Sequence, residues 1–386
     1  MTDSRQRRKA KQARRDARRS RQRHDSPEES PLLDELRDAL DSGEPMELLG
    51  LAGLIVAATA PPQLSLSRHD DGDSMSLGEL VDSFVEVGIR ETTALLAVFA
   101  EILVDDDVLR DRCRREVAAR DDELPPWLVD LSKTRVQRAV RMTHVLGDGD
   151  ELLVEMRLAD GRPLTCAAFI DHNVMSMIKD AFFMPGSLEE VLDVARRSND
   201  DPDTTFVDMT LADTRAWLAH GLEYPWFAQD ESDTWPASRA LVQWLVARLP
   251  EGGARYEACE LDWGQREQLL DRFFASLVGM RFANPDHREL LELCIDENNN
   301  DPLRWSDIRL GMILSEPLEH EFDHVSAEPQ LDVPDLLRAF VPFAHAERGI
   351  RQELTVAALT AIDEAEADYR QAVLEEASQW EDDEDD

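Results

Sequence analysis

Side chains able to do chemistry crowd into one short stretch. Asp171-His172-Asn173 closes the apolar run 164–170, and Lys179-Asp180 follow soon after. A carboxylate beside an imidazole can hold a divalent metal that activates water. Asp171, His172 and Asp180 are therefore the candidate catalytic residues, with Asp171 and His172 the candidate metal ligands. A structural reading stands beside this one: Asp171 caps a following helix while His172 and Asn173 bond to backbone. A second cluster, His320-Glu321-Phe322-Asp323-His324, matches H-E-x-x-H. On a helix, His320 and His324 would share one face and could both bind zinc, with Glu321 as base and Glu328 as a third ligand. Pro317 and the charge of Asp323 favour a solvated turn there instead. No G-x-G-x-x-G, Walker loop, G-x-S-x-G or triad signature occurs, which removes the common nucleotide and acyl-transfer readings. Apart from a divalent metal at these clusters, no cofactor is expected.

The elements that must position the first cluster read as a sheet. Leu152, Val154, Met156 and Leu158 alternate with charged or small residues, the period of a half-buried strand. Asp160-Gly161 supplies a positive-φ pair for a hairpin turn, and 164–170 is apolar enough to be buried on both faces. With the alternating 136–144, this predicts a three-stranded antiparallel meander. Around it the pattern is helical. Pro31 and Pro45 open helices, Ser76-Leu77-Gly78-Glu79 and Ser187-Leu188-Glu189-Glu190 are capping boxes, and helical rhythm covers 90–104 and 108–120. Further helices are expected near 211–222 and 235–248, from Asp262 to Met280, from Asn284-Pro285 to about Asn298, from Pro334 to a kink or end at Pro342, and over 353–379. Ile308, Leu310, Met312 and Leu314 alternate, predicting one more strand. Trp217, Trp226, Trp235 and Trp244 recur every nine residues, but Pro225 and Pro236 forbid one continuous helix, so the rings read as core. The fold class is α+β, predominantly helical, with a small antiparallel meander sheet between helical blocks. The expected units are a basic arm and linker (1–29), a helical domain (30–124), an α+β domain with C-terminal helices (125–374) and an acidic tail (375–386).

Charge is distributed unevenly along the 386 residues, whose net charge is −39. Residues 1–24 carry eleven Arg or Lys against two Asp, and everything after them carries a net −48. The arm has too few apolar side chains to bury. Arg7, Arg8, Lys9, Lys11, Arg14, Arg15, Arg18 and Arg19 are its candidate polyanion-binding residues. Nucleic acid or another polyanion is the expected partner, confined to the arm because the acidic body repels phosphate. A basic protein partner for the acidic body is the alternative, and a metal-dependent hydrolase at Asp171, His172 and Asp180 is another. The four cysteines are scattered with no C-x-x-C pair, which suits reduced thiols and a cytoplasmic location. No apolar h-region follows the basic arm, so no signal peptide is read. The longest apolar run, 48–60, is too short to span a bilayer, and no membrane association is expected. Arg-rich, Lys-poor usage looks like a high-GC actinobacterial genome, with a halophilic host as the competing explanation of the acidity.

Two resemblances attach to these residues. Asp171-His172-Asn173 after a buried strand is locally similar to the Asp-His-His or Asp-His-Asn motif of the manganese-dependent DHH phosphoesterases and type II pyrophosphatases. It implies a metal that activates water, with further Asp and His ligands from other strand ends, over three residues of this chain. More broadly, Ile170-Asp171-His172-Asn173 with Lys179-Asp180-Ala181-Phe182, together with Asp301-Pro302-Leu303-Arg304-Trp305-Ser306, resemble a family of uncharacterised actinobacterial proteins. That similarity would cover most of 125–350 and implies that the two patches belong together across one cleft.

Overall fold

In the computed structural model the described residues are 31–60, 75–223, 232, 234–258, 261–318 and 327–384. The basic arm, Trp226, His320 and His324 lie outside them. The chain opens with helices α1 (Pro31–Ser42), α2 (Pro45–Ala58), α3 (Leu77–Glu86), α4 (Arg90–Ile102), α5 (Asp107–Ala118) and the short α6 (Pro126–Val129). Ser76 and Glu79 form the expected reciprocal cap on α3, and Pro45 stands at the first turn of α2. Helix α4 is buried nearly all round, from Thr92 to Ile102, and is the axle of this block.

Five antiparallel strands follow: β1 (Arg135–His144), β2 (Gly149–Arg157), β3 (Pro163–Asp171), β4 (Met177–Pro185) and β5 (Thr204–Met209), in the order β4-β3-β2-β1-β5. The fold class is as expected, α+β and mostly helical, but the meander has two more strands than the three anticipated. The segment after His172 is not a helix: β3 turns tightly at 172–176 and returns as β4, pairing Phe169 with Asp180 and Ala168 with Ala181. Asp171 therefore caps no helix. At the β2–β3 hairpin, Gly161 (φ +90°) carries the positive φ, while Asp160 accepts from the Arg162 amide.

The sheet has two unequal faces. Leu152, Val154 and Met156 of β2, with Cys166, Ala168 and Ile170 of β3, face the large core shared with the N-terminal helices, α8 (Leu211–Gly221) and α9 (Trp235–Val246). Leu153, Ala167 and Val140 point the other way, where Leu188 and Leu192 of α7 (Leu188–Ser198) cover them. Glu155 reaches from β2 to accept from the Leu188 amide at the start of α7, adding to the Ser187–Glu190 cap. Trp217, Trp235 and Trp244 are all buried, as their pattern predicted.

A separate core is built from α10 (Trp263–Ala275), α11 (Pro285–Glu297), α12 (Asp307–Ile313), the short α13 (Ala327–Gln330), α14 (Val333–Arg348) and α15 (Gln352–Glu384). The two large cores divide the chain between Leu249 and Leu269, and the first runs unbroken across residue 124. The strand expected from Ile308, Leu310, Met312 and Leu314 is helix α12: Ile308 and Met312 are exposed, while Leu310, Ile313 and Leu314 are buried at helical spacing. Helix α14 passes through Pro342 without ending, and α10 stops at Ala275 rather than Met280. Helix α15 buries Ala358, Ile362, Tyr369 and Val373 along one stripe and continues through 375–384. No helix among the described residues is long and apolar enough to cross a membrane.

Candidate functional site

Three chain segments meet at one end of the sheet: the β1–β2 turn (145–148), the β3–β4 turn (172–176) and the stretch 298–309 of the C-terminal unit. Arg309, 3% exposed, ties them together. Its Nε donates to Asn173 Oδ1 (2.7 Å) and lies 3.0 Å from Asp148 Oδ1; its Nη2 donates to the Gly147 carbonyl (2.6 Å). Ser306 Oγ donates to the same Asp148 oxygen (2.7 Å), and Asn299 Nδ2 to the His172 carbonyl (3.0 Å). His172 and Asn173 thus meet Asn299 and Arg309, which flank 301–306, whereas Asp180 of the 179–182 stretch bonds to Ser232 and Thr234. A side chain at Gly147 would be strained by its φ of +69°, and a Cβ there would lie 2.7 Å from Arg304 Nη1, which would have to shift.

Beneath this joint, His172 is fully buried. Its ring stacks on Tyr256 (centroids 3.5 Å apart, 6° between planes) and meets Trp217 edge-on at 5.8 Å. Nε2 lies 2.9 Å from Asp150 Oδ2 and Nδ1 2.9 Å from Ser176 Oγ. Burial holds the imidazole pKa below its ordinary value, against the opposing pull of Asp150, so the ring is neutral at pH 7. A neutral ring facing a carboxylate must donate from Nε2, leaving Nδ1 to accept from the Ser176 hydroxyl. That bond braces a turn in which Met175 (φ +51°) and Ser176 (φ +55°) both adopt left-handed backbone. Carboxylate, imidazole and hydroxyl stand in the order of a nucleophile relay. The ring has no exposed surface, and its bond to Ser176 ties the relay to the turn.

The residues anticipated as a metal set are not brought together as one. Both His172 nitrogens are occupied. Asp171 Oδ1 accepts from the Asn173 amide and Oδ2 is 3.6 Å from Lys179. Asp180, on β4, accepts from Ser232 and Thr234. Among the described residues the group able to converge on a cation is His144, Asp201 and Asp203. Its members already have work: Asp203 is bound by the Arg351 guanidinium, Asp201 accepts from Thr204 Oγ1 (2.7 Å) and the Asp203 amide (3.1 Å), and His144 Nδ1 accepts from Leu146 N (3.3 Å). The Thr204 hydroxyl is the main reason the Asp201 carboxyl sits below its ordinary range.

A cavity of about 390 Å³ opens beside the buried imidazole, between the sheet end and the C-terminal unit. Arg141, Arg304 and Arg348 line it, as do Asp150, Asp203 and Glu257. Trp217 and Tyr256 form its aromatic wall. Arg141 is held loosely, 3.6 Å from Asp150 Oδ2 and 5.3 Å over the Trp217 ring. Arg304 is tied to Asp301 and the Ala258 carbonyl.

Two buried polar atoms in this wall lack hydrogen-bond partners among the described residues: Asp150 Oδ1 and Tyr256 Oη. Burial pushes the Tyr256 phenol pKa up, with Arg304 opposing and the Asp150 charge adding to the rise. An unsatisfied buried hydroxyl costs stability. Tyr256→Phe should thus leave the denaturant midpoint unchanged or raise stability by about 1 kcal/mol. A loss of more than about 1 kcal/mol would reveal a hydroxyl partner.

Asp148, Asp150, Arg141, Tyr256 and Arg309 escaped sequence reasoning. Asp150 had a usable signal, because it shares the core-facing parity of Leu152, Val154 and Met156 on β2. His172 likewise continues the parity of Cys166, Ala168 and Ile170 on β3. Two polar residues in the inward phase of neighbouring strands mark a buried pair. No family model, curated protein or solved structure matches the chain.

Proposed function

We propose that this chain is an interaction protein with two binding features: a cavity for a small polar ligand bearing an anionic group, and a basic arm for nucleic acid or another polyanion. The cavity reading rests on one observation. Three guanidinium groups line a single cavity of about 390 Å³ in a chain of net charge −39. That volume suits a metabolite-sized ligand, and Arg is the side chain matched to carboxylate and phosphate. The test is a thermal melt with millimolar glutarate or inorganic phosphate. At least one should raise the Tm of the full-length protein, and Arg141→Gln should shrink that rise. Unchanged melts with both anions overturn the cavity reading.

The arm is supported by its eleven basic residues in 24. Deleting 1–24 should abolish duplex binding while the thermal melt stays put. In the intact protein, log affinity should fall with log salt by about 0.9 per phosphate neutralised. A truncated chain that binds duplex as well as the full chain overturns this part.

The net −48 of the remaining chain favours, as a second reading, a basic protein partner for the acidic body. A hydrolase at Asp171, His172 and Asp180 has less in its favour, because each side chain already holds protein partners. The buried unpaired thiols Cys113, Cys166 and Cys294 support a reducing, cytoplasmic setting.

A further inference from the structure

We propose that Ser176 is a nucleophile, activated by His172 and Asp150, that accepts acyl groups from activated donors such as aryl esters and thioesters. Ser176 does not line the cavity, so this inference stands apart from the ligand reading above.

The relay carries it. Asp150 Oδ2 lies 2.9 Å from His172 Nε2, and His172 Nδ1 lies 2.9 Å from Ser176 Oγ. Burial keeps the ring neutral, so its Nδ1 lone pair faces the hydroxyl proton that a base must remove. The two nitrogens trade the places they hold in the serine-protease triad, which leaves the proton count unchanged. Asp150 positions the ring and pairs with the imidazolium that forms. Tyr256 stacks on the ring at 3.5 Å and Trp217 meets it edge-on at 5.8 Å, so its orientation is set in advance.

Two further features point to a reactive hydroxyl rather than a brace alone. Met175 (φ +51°) and Ser176 (φ +55°) are successive non-glycine residues in left-handed backbone, a strained choice for a turn. Sharp, strained turns are where such nucleophiles are presented. Ser176 is only half-buried, and Val174 and Met175 beside it are exposed at 38% and 51%. An apolar lip next to the serine suits an acyl chain or an aryl ring.

The sealed ring decides the class of donor. His172 has no exposed surface but touches Oγ, so it takes that one proton and does not reach a separate leaving group. In the step, the Oγ proton passes to Nδ1 and Oγ bonds to the carbonyl carbon. The bond from that carbon to the leaving oxygen or sulfur breaks, and the aryloxide or thiolate departs with its electron pair. The proton stays with the His172–Asp150 pair and is then lost to solvent. Aryloxides and thiolates leave unprotonated, whereas an amide nitrogen needs a proton to leave, so amides are excluded.

The experiment treats the full-length protein with p-nitrophenyl acetate and, separately, with a biotinylated alkyl fluorophosphonate. Peptide mass spectrometry then maps the modified residue. At least one probe should mark Ser176. Ser176→Ala should lose that mark, and His172→Gln should slow its appearance by at least roughly a hundredfold. Asp150, Asp171 and Arg309 are the charges acting on the ring, and the stacked Tyr256 phenol stays neutral. Asp150 raises the ring's pKa, so Asp150→Asn should move the pH midpoint of labelling downward. A purely structural role would not produce that shift. If both probes leave Ser176 unmarked in the wild type, the proposal is overturned. Labelling of Ser176 that is equally fast in His172→Gln also overturns it. Should His172→Gln fail to fold, the Asp150→Asn midpoint carries the test, and an unmoved midpoint overturns the relay.

Discussion

Arg309→Met is expected to lower stability by about 3–5 kcal/mol, the range for removing one partner of a buried ion pair. The side chain is 3% exposed and spans three segments that no apolar cluster joins. Each lost bond leaves a group behind. Asp148 loses a charge partner at 3.0 Å, Asn173 Oδ1 and the Gly147 carbonyl lose their donors, and methionine offers none in return. Arg309→Lys keeps the charge but not the planar fork, so it should fall between the two. The comparison is a set of denaturant midpoints for wild type, Arg309→Met, Arg309→Lys and Arg141→Gln. Arg141 is about a third exposed and makes a single longer contact, 3.6 Å from Asp150, so its loss should cost less than that of Arg309. An Arg309→Met loss no larger than that of Arg141→Gln would mean the joint does not depend on this side chain.

Arg309 also shows why the site was only half legible in the sequence. Alternation of Ile308, Leu310, Met312 and Leu314 suggested a strand, and in a strand Arg309 would point away from the apolar face. The segment is a two-turn helix opened by the Ser306 cap. On it Arg309 and Leu310 are both buried, and Arg309 faces the β1–β2 turn. In so short a segment helical and strand periods give similar strings, and the cap was the better guide. Long amphipathic elements were easier. The reciprocal caps at Ser76 and Ser187, the inward parity of β2 and the buried tryptophans all followed from local pattern.

The missing strands failed for a physical reason. In β4, Met177, Ile178 and Ala181 are buried while Lys179 and Phe182 are exposed, a broken alternation produced by the register shift between Phe169 and Ile170. Strand β5 lies at the sheet edge and buries none of its residues fully, so burial stamped little pattern on it. The cavity was illegible for another reason: Arg141, Asp150, Tyr256 and Arg348 are brought together by tertiary packing, with no shared local spacing. In the sequence, only a family resemblance linked 170–173 and 179–182 with 301–306. In the fold the first and last of these meet at the Arg309 joint, with Asp150 and Tyr256 packed just below it around His172.

The segment 302–309 is also held from behind, and that hold should make the protein acid-sensitive. His345 of α14 is 1% exposed. Its Nε2 lies 3.3 Å from the Trp305 amide and 3.1 Å from the Trp305 carbonyl, and its Nδ1 is 2.9 Å from Thr355 Oγ1. Charging this ring would bury a cation and take the acceptor from the Trp305 amide. Burial accordingly lowers the pKa to about 4, against the pull of the Trp305 carbonyl. In the unfolded chain the same ring takes its proton near 6.5. Between those values the unfolded state binds more protons, so stability falls as pH falls, starting near 6.5 and complete below about 4. The difference corresponds to about 3 kcal/mol. Protonation of the many surface carboxylates relieves self-repulsion over part of this range and acts in the opposite direction. Comparing wild type with His345→Gln cancels that contribution, along with the one from His172, whose lowered pKa acts in the same direction as that of His345. The wild type's advantage over His345→Gln, read from denaturant midpoints at pH 7, 5.5 and 4, should shrink by about 3 kcal/mol across the series. An advantage that stays constant with pH would show that His345 titrates alike in both states, and that the 302–309 segment does not depend on a neutral imidazole.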